Sequence, residues 1–169
     1  MEFLNSTTED LDEIFRLYEA ATRFQKAVSE QAWQAFEREF IEKEIAEKRH
    51  WKITIDGEIA CIFSTSFDDA LIWQNQSDEA AIYLHRVAVS PEFRDTKFFP
   101  KIVEWLRDYA KNLGIKRLRM DTWSDNQKLA DYYVRCGFEF LNVSTLEKTA
   151  GLPKHYEGIS VNLFEMKID

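Results

Sequence analysis

Tyr83-Leu84-His85-Arg86-Val87-Ala88-Val89-Ser90-Pro91-Glu92-Phe93-Arg94 is the stretch from which the rest of the chain can be read. Its apolar run, opening at Ala80, predicts a long strand over 80–89. Ser90-Pro91 ends it, because proline has no N–H to give to a ladder. Beyond it, Phe99, Ile102/Val103, Leu106, Tyr109/Ala110 and Leu113 recur at helical spacing and stop at Gly114. Ile115 to Trp123 reads as strand again. A strand, a helix of about four turns and a second strand form a βαβ unit, so the two strands are expected to be parallel neighbours.

Upstream, residues 2–6 fit a short opening strand. Thr7 or Thr8 then caps a helix with the apolar stripe Leu11, Ile14, Phe15, Tyr18 and Ala21. A second helix is expected from about Ser29 to Lys48, its stripe reading Ala32/Trp33, Phe36, Phe40/Ile41 and Ile45. The period then changes to two. Trp51, Ile53 and Ile55 lead to Asp56-Gly57, a strong hairpin signal, and a return strand runs from Glu58 to about Thr65. These strands and 80–89 are expected to form an antiparallel meander.

Downstream, Gln127 to Cys136 reads as a helix ended by Gly137, Phe138 to Leu146 as a strand, and Ser160 to Ile168 as the last strand. There the alternation changes phase between Leu163 and Phe164, which predicts a bulge. The order β-α-α-β-β-β-α-β-α-β-β gives an α/β (α+β) fold: a mixed, mainly antiparallel sheet flanked by helices, with one parallel strand pair. No repeat or linker divides residues 1–169, so a single domain is expected.

Composition narrows the function. The 169 residues are 45% hydrophobic and 31% charged, with a net charge of −8. That balance suits a soluble globular chain and argues against non-specific nucleic-acid binding, which needs a basic footprint. An acidic field favours cationic partners such as amines, although solubility alone also accounts for it. No apolar run is long enough for a membrane span, and the N-terminus lacks the pattern of a signal peptide. Cys61 and Cys136 form no CxxC pair, which fits a cytoplasmic chain without a disulfide framework or structural metal.

The segment 83–94 and a second one, Asn126-Gln127-Lys128-Leu129-Ala130-Asp131-Tyr132-Tyr133-Val134-Arg135-Cys136-Gly137-Phe138, resemble the acetyl-CoA-binding core of GNAT acetyltransferases. The second is the more specific: Asn, Tyr seven residues on, then Gly-Phe, is the family spacing. The element order is similar to that fold from end to end. The resemblance implies transfer of the acetyl group of acetyl-CoA to a primary amine, on a small molecule or a peptide, by direct attack in a ternary complex. It implies no metal. Family members often form homodimers.

It also implies site residues. The sheet of GNAT proteins splays beside the strand matching Val87, Ala88 and Val89, whose backbone would pair with the pantetheine amides and hold the oxyanion. Buried strand residues would look the same. The turn Arg94-Asp95-Thr96-Lys97-Phe98-Phe99 occupies the pyrophosphate position, where unpaired N–H groups and a helix dipole suit an anion. It lacks the glycines of the family pattern, and Asp95 opposes a phosphate; Arg94 and Lys97 attract one, and no proline within 94–99 removes a donor. Tyr133 matches the acid that protonates the leaving thiolate, and Asn126 the contact to the cofactor arm, or simply the helix N-cap.

The base stays open among His85, Asp121 and, third, Glu79. A structural histidine, or a turn-anchoring aspartate, explains the first two as well. Trp73, Trp123, His155 and Tyr156 are candidate acceptor-pocket residues or core aromatics. Cys136 is expected to face the core. A non-catalytic module of the same fold, its turn eroded, is the alternative.

Overall fold

A computed structural model describes residues 1–74, 79–146, 150–153, 156 and 158–169. Among the described residues, seven strands and five α-helices follow one another along the chain. They are β1 (Glu2–Asn5), α1 (Leu11–Val28), α2 (Arg38–Ala46), β2 (His50–Ile55), β3 (Glu58–Ser66), α3 (Ala70–Trp73) and β4 (Ile82–Val89), then α4 (Phe98–Asn112), β5 (Arg117–Trp123), α5 (Gln127–Arg135), β6 (Glu139–Thr145) and β7 (Ser160–Lys167). The hydrogen-bonding order is β1-β2-β3-β4-β5-β7-β6. The βαβ expectation holds: β4 runs parallel to β5, with Ile82, Tyr83 and Leu84 opposite Leu118, Arg119 and Met120. The chain gathers into two compact units, Met1–Thr65 with His85–Phe99, and Ser66–Leu84 with Pro100–Asp169.

In the first unit, Thr7 opens the helical region. Its backbone N–H donates to Asp10 Oδ2 at 2.7 Å, and the N–H of Asp10 returns to the Thr7 carbonyl. A single 3-10 turn over Thr8–Asp10 then feeds α1. Leu11, Ile14, Leu17 and Tyr18 of α1 pack with Ile41 and Ile45 of α2 and with Ile62 and Ala88 of the sheet. Asp56 and Gly57 both take positive φ, +51° and +84°, as a two-residue hairpin of matching twist requires.

The second helix is shorter than its periodicity predicts: residues 30–37 are not helical, and α2 begins at Arg38. Side chains there do what helical carbonyls would otherwise do. The Trp33 N–H donates to Gln25 Oε1 at 2.8 Å, and the Gln31 N–H to Ser29 Oγ at 3.2 Å. Trp33 and Phe36 meanwhile close on the Tyr18 ring, with centroids 5.9 and 4.8 Å away. Aromatic packing outweighs the helix-forming composition of this segment.

In the second unit, β7 is paired on both sides and antiparallel to both neighbours, β5 and β6. Its Val161 and Leu163 join Ile72, Trp73, Tyr83 and Leu146 on one face. Phe164 turns to the other, where Tyr133 of α5 meets it edge-on. Helices therefore cover both faces of this part of the sheet. The expected bulge lies in the partner strand. Phe140 pairs with Phe164 and Asn142 with Leu163, leaving Leu141 of β6 as the extra residue, while the β5–β7 register is unbroken. The phase change in β7 records burial on both faces, which removes alternation without a bulge.

Arg119 is 1% exposed. Its Nε donates to Glu165 Oε2 at 2.9 Å and its Nη1 to Tyr83 Oη at 2.8 Å, and its guanidinium lies 4.9 Å from the Trp73 ring centroid. Arg117 joins the same carboxylate, with Nη1 2.5 Å from Glu165 Oε1. Each buried charge thus has partners. Among the described residues, no helix is long and apolar enough to cross a membrane.

Candidate active site

The chain turns out of β4 at Ser90. The Ser90 N–H is held by the Ala60 carbonyl at 2.9 Å, Pro91–Phe93 form one 3-10 turn, and α4 starts at Phe98. Pro100 falls in the first helical turn, where a missing N–H costs little. Ser90 Oγ donates to Glu92, whose carboxylate lies 3.6 Å from Arg16 Nη1 of α1. The turn is therefore tied to α1.

Its donors are not all open. The N–H of Thr96 goes to the Phe93 carbonyl and that of Phe98 to the Thr96 carbonyl, both at 3.0 Å. A proline-free turn keeps its donors in number, but a tight one uses some itself. The N–H groups of Asp95 and Lys97 have no backbone partner among the described residues. Arg94, Asp95 and Lys97 are exposed; Phe98 and Phe99 are buried and root the start of α4. The Arg94 guanidinium lies over the Phe24 ring at 5.5 Å, which pre-positions its charge. A fixed guanidinium, a lysine and a helix N-terminus suit a diphosphate, with Asp95 working against it.

Within β4, Ala88 is buried, while Val87 and Val89 are partly exposed. Arg86 interrupts the strand with φ +50°. His85, just before it, is held down to about 3 by burial, with the Arg86 and Arg49 charges adding to it. Its imidazole is neutral at working pH, and that pKa leaves it a weak proton acceptor.

In the second unit, Asp121 pairs with Leu163 across β5–β7, so the two side chains share a face. Tyr156 Oη donates to Asp121 Oδ2 at 3.2 Å, and Trp123, Tyr156, Leu152 and Ile159 pack against the Trp73–Leu163 cluster. Trp73 is 2% exposed and belongs to the core. His155 lies outside the described residues.

Asn126 is the N-cap of α5: its Oδ1 accepts from the Leu129 N–H at 3.1 Å. Gly137, at φ +98°, closes the helix, with the Phe138 N–H returning to the Tyr133 carbonyl at 3.2 Å. Between these caps Tyr133 packs on Phe164, the neighbour of Leu163, and so on the face opposite Asp121. Burial pushes its phenol up, with the Tyr132, Asp121 and Cys136 groups adding to it. The phenol therefore stays protonated. Glu79 is exposed and engaged with Arg117.

A profile of the acetyltransferase (GNAT) family matches residues 9–138. The chain belongs to that family. The uncharacterized N-acetyltransferase YesJ of Bacillus subtilis is 32% identical over 73 residues, a match covering 43% of this chain and 41% of that relative. A GNAT acetyltransferase of Listeria monocytogenes superposes with a TM-score of 0.79 at 20% identity, covering 99% of this chain and 94% of the other. The N-acetylglutamate synthase of Neisseria gonorrhoeae, solved with coenzyme A and N-acetyl-glutamate, gives 0.69 at 14% identity over 99% of this chain and 35% of its own. These two structural likenesses show the GNAT fold. Arg86, Glu44 and Phe24 join the site's surroundings without having been predicted. Glu44 could have been found: it falls one turn from Phe40 and beside Ile45, on the stripe that packs inward.

Proposed function

We propose that residues 1–169 form one N-acetyltransferase domain, which moves the acetyl group of acetyl-CoA to a primary amine by direct attack. The observation that carries this reading is the buried phenol of Tyr133 on α5, the helix that Asn126 caps and Gly137 closes. Amine attack and thiolate departure take place at one carbonyl carbon, so the thiolate needs a proton donor close to that centre as the C–S bond breaks. A phenol kept neutral by burial can donate to a departing thiolate. Asp121, oriented by the hydroxyl of Tyr156, is the base in this reading, with His85 as the alternative.

Val87, Ala88 and Val89 would supply backbone groups to the pantetheine arm and the developing oxyanion. Arg94, Asp95, Thr96, Lys97, Phe98 and Phe99 form the diphosphate turn, the Asp95 and Lys97 N–H groups with the Arg94 and Lys97 charges making the contacts. Asn126 keeps its amide NH2 for the cofactor arm while its Oδ1 caps α5. The route proposed here calls for no metal. The N-acetyl-glutamate beside coenzyme A in the Neisseria structure supports an amine as acceptor class.

The decisive experiment is a thermal-shift titration with acetyl-CoA, followed by an amine panel scored by released CoA thiol. Stabilisation and thiol release with at least one amine are expected. No stabilisation at millimolar acetyl-CoA would sink the enzyme reading and leave the non-catalytic module, which the tight, glycine-free turn favours.

A further inference from the structure

Four non-glycine residues described here have left-handed backbone: Lys48, Asp56, Gln74 and Arg86. Three have local reasons. Lys48 follows α2, Asp56 opens the hairpin turn and Gln74 caps α3. Arg86 alone among them lies inside a strand, where a left-handed arginine persists only if its surroundings over-determine it.

Those surroundings are specific. Arg86 Nη2 donates to Glu44 Oε1 and, at 2.6 Å, to Ser64 Oγ. Its guanidinium lies 5.5 Å from the Phe36 ring centroid and 5.0 Å from that of Phe40. The Glu44 and Arg86 side chains are 4% and 9% exposed. Yet Glu44 Oε2 and Arg86 Nε have no hydrogen-bond partner among the described residues. A buried ion pair with unmet polar atoms is a poor route to stability, since well-packed apolar side chains do as well or better. Its geometry joins the residue just before Val87 to α2 at the point where β4 takes its left-handed turn.

We propose that Glu44 is a positioning residue, which through Arg86 holds β4 in its left-handed kink and so sets the direction of the Val87–Val89 N–H groups. The proposal rests on the acetyl-transfer reading for its catalytic consequence, but not for its structural one.

Glycine separates backbone from side chain, because it takes positive φ without penalty. In Glu44→Gln the kink loses its charged anchor, and kcat is expected to fall by about tenfold while KM for acetyl-CoA rises, because the same N–H groups serve the oxyanion and the pantetheine arm. In the double variant Glu44→Gln/Arg86→Gly the kink needs no anchor, and most of kcat is expected to return. In Glu44→Gln/Arg86→Ala it is not. Amide hydrogen exchange at Val87 and Ala88, followed by NMR without any substrate, is expected to quicken in Glu44→Gln and to recover only with glycine. Unchanged exchange in Glu44→Gln, or no recovery with glycine, overturns the proposal. If the wild type acetylates no amine in the panel, the exchange measurement still decides the positioning role, so the two readings fail separately.

Discussion

The Tyr133 ring meets Phe164 edge-on, with centroids 5.6 Å apart and planes at 73°, and this contact belongs to the ring and not to the hydroxyl. Tyr133→Phe therefore keeps the packing that seats α5 on β7. Its thermal midpoint is expected to stay close to wild type, a change within about 1 kcal/mol. Turnover is expected to fall ~100-fold if the phenol is the acid. Unchanged turnover would remove Tyr133 from that role. Because burial raises its pKa, wild-type activity should not decline through Tyr133 ionisation below pH 10.

The turn proposed for the diphosphate makes a charge prediction. Arg94→Ala should weaken acetyl-CoA binding by about 3- to 10-fold and Asp95→Asn should tighten it, both effects shrinking in high salt, as expected for exposed charges near a phosphate. Isothermal titration at two salt concentrations checks both signs. Identical affinities would mean that the cofactor does not reach this turn.

His50 is fully buried between Tyr18 Oη at 3.0 Å and Ser6 Oγ at 2.8 Å. Burial first, then the Arg86 charge, lowers its pKa to about 3 from 6.5. The unfolded chain thus binds a proton that the folded one refuses between those values. The stabilisation is complete above pH 6.5 and is lost as pH falls toward 3, at a limiting slope of about 1.4 kcal/mol per pH unit. Urea melts of wild type and His50→Gln from pH 7.5 to 4.5 should show a shallower slope in the variant. Parallel slopes would contradict the shift.

Removing the carboxylate beside Arg119 strands a buried guanidinium. Glu165→Leu is expected to cost about 3–5 kcal/mol, and Arg119→Met/Glu165→Leu to recover most of it. Chemical denaturation of the three proteins measures this. A double variant as unstable as the single one would show that the pair itself, and not its balance, holds the strands.

Gly137 meets a tighter constraint than the other chain punctuation. Its φ is +98°, and a Cβ there would come within 3.2 Å of Met166 Cε. Because the methionine tip can swing aside, Gly137→Ala should cost about 1–2 kcal/mol, most of it backbone strain. Differential scanning calorimetry checks the figure.

Most of the fold was legible because its signals are local: Asp56-Gly57 demands one hairpin, and the α4 stripe demands one amphipathic helix. The βαβ step then allows few topologies. What escaped depended on partners far away in the chain. Residues 30–37 keep a helical spacing, but their outcome was decided by Tyr18 and Gln25 of α1. The bulge was foreseen in β7 and lies in β6, because burial of β7 on both faces breaks the alternation just as a bulge would. Tyr133 and Asn126 stood out by spacing within one helix. The Glu44–Arg86 pair did not, since a left-handed arginine has no signature of its own.

The extra residue in β6 also bears on how the molecule behaves in company. β6 ends the strand order, and Phe140, Leu141 and Val143 are 45%, 38% and 52% exposed. A flat edge of that composition would recruit strands from other copies and seed aggregates. Leu141 breaks the spacing of the edge groups that such recruitment needs. A second copy aligning with this border would therefore have to match an interrupted ladder.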